Sequence, residues 1–186
     1  MILDNTLLFT GTSNGATATI ASGSYTDLPT SGTVISSNII DLGIKSGVPS
    51  SANGGGARDI GIGDDPMLKL WANVTVAFNT LTSMHLLLEG APDGGSGTPG
   101  SYYTLWTGPE VNLAQLFVGA QLANVDVPRP PPGQVLPRFL RLSFVVTGSA
   151  NSTGLVMAGI VLDRFDQTTG TGGALSGYVP GITVSN

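Results

Sequence analysis

A Ser-His-Asp relay needs an imidazole, and the chain has one, His85. It stands in "MHLLLE" between Met84 and Leu86, in the middle of an apolar run that reads as a strand. No G-x-S-x-G elbow accompanies it, so the spacing points to a histidine on a sheet face rather than a base beside a nucleophile. Cysteine is absent, which removes disulfides, thiolate metal sites and thiol nucleophiles together. What chemistry remains rests on carboxylates: Asp59, Asp64 and Asp65 in "GGGARDIGIGDDP", residues 54–66, and the separate Glu89 and Glu110.

That glycine-rich stretch admits three readings. A phosphate cradle brings backbone N–H groups to an anion at the start of a helix, usually with a lysine. Here two aspartates, a proline and a strand pattern follow, so the field has the wrong sign. A hard cation such as calcium would suit the aspartates, yet "DIGIGDDP" lacks the D-x-D-x-D-G spacing of a calcium loop. An acid-base pair as in glycosidases needs two convergent carboxylates, whereas the adjacent Asp64 and Asp65 would point to opposite sides of an extended chain. The structural reading is preferred: glycines relax the backbone, Arg58 and Asp59 brace the loop or reach a neighbouring subunit, and Asp64-Asp65-Pro66 turns the chain into a strand. No catalytic residue, metal ligand or cofactor site is assigned.

Such residues would have to be positioned by β-structure. Turn signals recur at 11–15, 22–32, 45–56, 90–100 and 169–173, leaving room for short strands. Segments 2–9, 16–20 and 33–42 read as strands. In "MLKLWANVTVAF", 67–78, Leu68, Leu70, Ala72, Val74, Val76 and Phe78 share one face, and Lys69, Trp71, Asn73 and Thr75 the other. "SMHLLLEG", 83–90, can pair back on it as a hairpin. "RFLRLSFVVTG", 138–148, puts Leu140, Leu142, Phe144 and Val146 on one face, and with "GLVMAGIVLDRFD", 154–166, reads as a long antiparallel hairpin. Within 112–125 the spacing of Leu113, Leu116, Phe117 and Ala120 allows one short helical turn, interrupted by Gly119. "VPRPPPGQVLPRF" reads as a stiff surface loop.

The chain of 186 residues fits one domain, and its core is aliphatic, since 41% of residues are hydrophobic but only 6% aromatic. Charged residues are 10%, against about 25% in an average soluble domain, which favours a surface that meets other protein. With net charge −5 there is no basic face for a nucleic-acid backbone, and no apolar run reaches the ~20 residues of a membrane helix. "MILDNTLLFTG" lacks the basic region of a signal peptide. The expected fold is all-β, a jelly-roll β-sandwich: a single domain over 1–167 with at most one short helix, an N-terminal arm at 1–10, and a Gly-rich segment at 168–186 that adds a strand or trails as a tail.

"MILDNTLLFT", "GGGARDIGIGDDPMLKLWANVTVAF", "LFVGAQLANVDVPRPP" and "RFLRLSFVVTGSANSTGLVMAGIVLDRFD", in that order, resemble the small capsid decoration (cement) proteins of tailed bacteriophages, the Bbp16-like family. The resemblance spans most of residues 1–166 and contains no catalytic fingerprint. It implies a jelly-roll homotrimer on the virion exterior, bound to the major capsid protein around local three-fold positions, with no cofactor, no nucleic acid and no membrane contact. Candidate contacts to the shell or between subunits are the apolar arm residues Ile2, Leu3, Leu7 and Leu8, the loop at Arg58 and Asp59, and the proline segment at Arg129. The arm equally fits an ordinary edge strand of its own domain. Two rival functions remain: a carbohydrate- or receptor-binding module using Tyr102, Tyr103 and Trp106 of "SYYTLWTG" as a stacking platform, and a glycosidase or depolymerase.

Overall fold

The period-two patterns become strands in a computed structural model that describes residues 7–11, 25–43, 68–95, 97–162, 167–169 and 173–175. In chain order these are β1 (Gly32–Ile35), β2 (Ile40–Asp41), β3 (Leu68–Val76), β4 (Leu81–Ala91), β5 (Asp93–Gly95), β6 (Thr98–Pro99), β7 (Tyr103–Thr107), β8 (Val111–Asn112), β9 (Gln121–Asp126), β10 (Phe139–Gly148), β11 (Leu155–Leu162), β12 (Gln167–Thr169) and β13 (Gly173–Leu175). The fold is all-β. The segment expected to hold a helical turn has only a 3-10 turn, Leu113–Gln115, before it straightens into β9.

Two antiparallel sheets form the body. The larger runs β1-β10-β4-β7, with β2 continuing beside β10 and β8 beside β4; the smaller runs β11-β3-β9. Leu140, Leu142, Phe144 and Val146 of β10, with Met84, Leu86 and Leu88 of β4, belong to one buried cluster with Leu70, Ala72 and Val74 of β3 and Val156, Ala158 and Ile160 of β11. The sheets therefore pack face to face as a β-sandwich. Each fully buried aliphatic side chain contributes about 1.5–3 kcal/mol, so the inner face of β10 alone outweighs the surface ion pairs.

Neither expected hairpin forms. β4 pairs with β10, Leu88 opposite Leu142, while β3 pairs with β11, Ala72 opposite Ala158. The links at 77–80 and 149–154 thus carry the chain across the core, from one sheet to the other. A hairpin would put the apolar faces of both its arms on one side, needing a further layer to cover them. As arches, the two arms of each pair cover one another. Gly148 and Gly154 permit the second arch: both have positive φ, and a Cβ would meet Thr82 Oγ1 at 2.3 Å in one case and the Phe78 ring at 2.3 Å in the other.

The arches clasp each other through Asn151, which is buried. Its Oδ1 accepts from the Leu81 N–H (3.0 Å) and the Thr80 N–H (3.2 Å), and its amide donates to the carbonyls of Thr30 (3.3 Å) and Pro29 (3.4 Å). The Thr80 hydroxyl donates to Ala150 O at 2.7 Å. One side chain joins three segments.

The edge of β11 away from β3 is taken by two short pieces. Leu8 bridges to Gly159, with the Phe9 N–H donating to Ala158 O at 2.9 Å, and Asp27 bridges to Val156. Segment 33–42, expected as one strand, is broken at Ser36, whose N–H donates to Leu142 O while its Oγ accepts from the Leu142 N–H. β12 and β13 pair with each other across the expected boundary at 167/168.

Candidate functional site

Alternation along β4 and β10 places Ser83, His85, Leu87 and Glu89 beside Thr147, Val145, Ser143 and Arg141 on the outer face of the larger sheet. Glu89 Oε2 accepts from Arg141 Nε (2.8 Å) and from the Ser143 hydroxyl (2.6 Å). The Arg141 guanidinium lies 3.7 Å from the centre of the Tyr102 ring, a cation–π contact. Burial pushes the Glu89 carboxyl up, but the bonds from Arg141 and Ser143, with the Arg141 charge, outweigh it and hold the group below its ordinary value. A general acid in glycoside hydrolysis needs the reverse shift. Burial raises the Tyr102 phenol.

Glu110 is held by the Ser83 hydroxyl, which also lies 2.6 Å from Thr147 Oγ1. His85 is half-buried opposite Val145. Among the described residues no three His, Asp or Glu side chains gather to hold a metal ion.

A second cluster sits at the end of the larger sheet away from the arches. Arg138 donates through Nε to Asp41 Oδ1 (2.9 Å), through Nη2 to Asp41 Oδ2 (3.1 Å), and through Nη1 to Asp93. Its guanidinium also lies 4.9 Å from the centre of the Phe139 ring. Gly43 lies so close that a Cβ would meet Arg138 Nε at 2.1 Å. The Gly95 N–H, and after it Arg138, hold the Asp93 carboxyl below its ordinary value, while Asp41 and Asp93 push the Arg138 pKa up. The clasp ties β2, the β5–β6 turn and the start of β10.

Of the candidate contact residues, Leu8 is buried and pairs within its own sheet, so its side chain serves its own core rather than a neighbour. Leu7 is half-buried against that core. Arg129 is exposed on the proline loop. Ile2, Leu3, Arg58 and Asp59, like Asp64 and Asp65, lie outside the described residues. The three aromatics do not form one platform. Tyr102 covers Arg141, Trp106 packs against the core, and the Tyr103 hydroxyl donates to Val135 O at 2.6 Å.

Four large apolar side chains are the most exposed among the described residues, and no sequence pattern marks them. Phe117 (61% exposed) and Val118 (63%) stand out at the arch end, where the Phe78 N–H donates to Leu116 O and the Gly119 N–H to Val74 O. Val135 (67%) and Leu136 (77%) stand out at the opposite end, in the proline loop. Gly119 and Gly133, both with positive φ, mark the tight turns that hold these pairs outward. No protein-family model matches the chain, and no curated protein matches it.

Proposed function

We propose that the sandwich is a jelly roll and that the chain is a virion structural protein: a homotrimeric decoration protein on the exterior of an icosahedral phage capsid, bound to the major capsid protein around local three-fold positions. The observation that carries this reading is how the polar and apolar groups are divided. Every carboxylate among the described residues is engaged inside the fold: Asp27 by Gly11 and Ser37, Asp41 and Asp93 by Arg138, Glu89 by Arg141, Glu110 by Ser83, and Asp126 by Lys69. Each end also exposes a pair of large apolar side chains, Phe117 and Val118 at one and Val135 and Leu136 at the other. Such a surface suits binding to protein more than turnover of a small substrate.

The physical role follows by linkage. A ligand that binds the assembled shell better than free subunits stabilises the assembled state, and three joined copies raise the effective concentration of each contact. Shells under outward load from packed DNA would then open less readily.

The carbohydrate- or receptor-binding alternative loses its main support once Tyr102, Tyr103 and Trp106 are engaged separately. The test is the copy ratio of this chain to the major shell protein in particles purified from its source. Near parity is expected for one trimer per local three-fold. A ratio far below parity would favour a receptor-binding or enzymatic role.

A further inference from the structure

The proline loop, residues 127–138, differs from other exposed turns in three ways. It is stiff: Pro128, Pro130, Pro131, Pro132 and Pro137 fix their own φ and restrict the residues before them. It is tied down along its length. The Val127 N–H donates to Leu68 O (2.9 Å), the Gln134 N–H to Pro131 O (3.1 Å), the Tyr103 hydroxyl to Val135 O (2.6 Å), and the Arg138 N–H to Ala91 O (2.9 Å). Pro137 lies against Gly90, where a Cβ would meet it at 2.8 Å. A loop so held loses little conformational freedom on binding.

The second difference is apolar display. Val135 and Leu136 are the most exposed large apolar side chains among the described residues. The third is charge. Lys69, Arg138 and Arg141 are each paired with carboxylates of the same chain, whereas exposed Arg129 has no ion pair among the described residues. On a chain of net charge −5 this cation is a local exception. The Phe117–Val118 turn has no cation in its own stretch of chain, since no Lys or Arg lies between Lys69 and Arg129 in the sequence.

Resting on the decoration reading, we infer that this loop is the docking peg: Val135 and Leu136 insert into an apolar cleft of the shell, and Arg129 pairs with carboxylates on its rim. The occupant of the peg's far side is thus a protein surface of apolar floor and acidic border. The Tyr103 bond to the Val135 carbonyl aims the two aliphatic side chains, and the Arg138 clasp holds the base of the loop.

The test is rebinding of the full-length chain to purified particles from which it has been stripped, comparing wild type with Val135→Ser/Leu136→Ser, Arg129→Glu and, as control, Phe117→Ser. Melting of each free variant should match wild type, since the altered side chains are exposed. The peg predicts that the double variant rebinds about tenfold more weakly or worse, as expected when central apolar anchors are lost. Arg129→Glu should also rebind more weakly, Arg129→Lys should restore much of the loss, and Phe117→Ser should rebind like wild type. If wild type itself does not rebind, the decoration reading falls and the peg with it. If wild type rebinds and both loop variants match it, the peg alone is overturned. A loop variant that alters the sedimentation of the free chain while leaving rebinding intact would assign the loop to contacts between copies, and also overturns it.

Discussion

The two ends of the sandwich are locked by different physics. At the arch end a buried neutral amide, Asn151, satisfies backbone groups of two other segments, 29–30 and 80–81. At the opposite end a half-buried guanidinium, Arg138, grips two carboxylates that are themselves partly open to solvent. A buried hydrogen-bond donor or acceptor left without its partner costs its full desolvation, whereas an ion pair partly open to solvent is screened and partly replaced by water. The arch end should therefore carry stability, and the clasp end should carry the geometry of the loop that leaves from it.

The largest effect is expected from Asn151→Ala. It orphans the buried Leu81 N–H and opens the clasp, and should lower unfolding stability by about 3 kcal/mol in urea titration. A loss below about 1 kcal/mol would mean that water replaces the amide and that the ends do not differ as argued. Next is Gly154→Ala, which forces a methyl group into the Phe78 ring at a positive φ and should cost about 2 kcal/mol.

How much of this was legible in the sequence differs between the same two ends. The inner face of β10 was readable, because Leu140, Leu142, Phe144 and Val146 follow a period of two and all are buried. The path of the arches was not. Period two is the same for a hairpin and for an arch, and only the non-local pairing of β4 with β10 and β3 with β11 separates them. Asn151 lies in "SANST", a stretch that reads as a polar surface turn, yet the residue is only 5% exposed because its partners are about 70 and 120 residues away in the chain. The Arg138 clasp was hidden for the same reason, as its carboxylates come from distant turns. Glu89 and Glu110 were visible as candidates, but their partners became visible only with the register of β4 against β10 and the path of the chain after β7.

Smaller effects sharpen the comparison. Arg138→Met should lower stability less than either arch variant, and the difference from wild type should shrink as salt is raised, which melting at two ionic strengths would check. Asn151→Ala should show no such salt dependence. An equal response at both ends would break the distinction.

Between the ends, Glu89 provides a pH signature. Its native pKa lies below the ordinary carboxylate value, so its ionised form favours folding. That contribution is present above the unfolded-state pKa of about 4.3 and is lost as pH falls through the lower native value. Glu89→Gln should therefore be less stable than wild type at neutral pH and approach it in acid, read as converging urea midpoints. Curves that stay parallel down to acid pH would show that Arg141 and Ser143 do not favour the ionised form.

The most direct test of the decoration account is the temperature at which particles release their DNA, measured with a fluorescent dye on particles carrying this chain, stripped of it, and reconstituted with it. The account predicts earlier release from stripped particles and recovery on reconstitution. Identical release temperatures for all three, with binding verified, would contradict it.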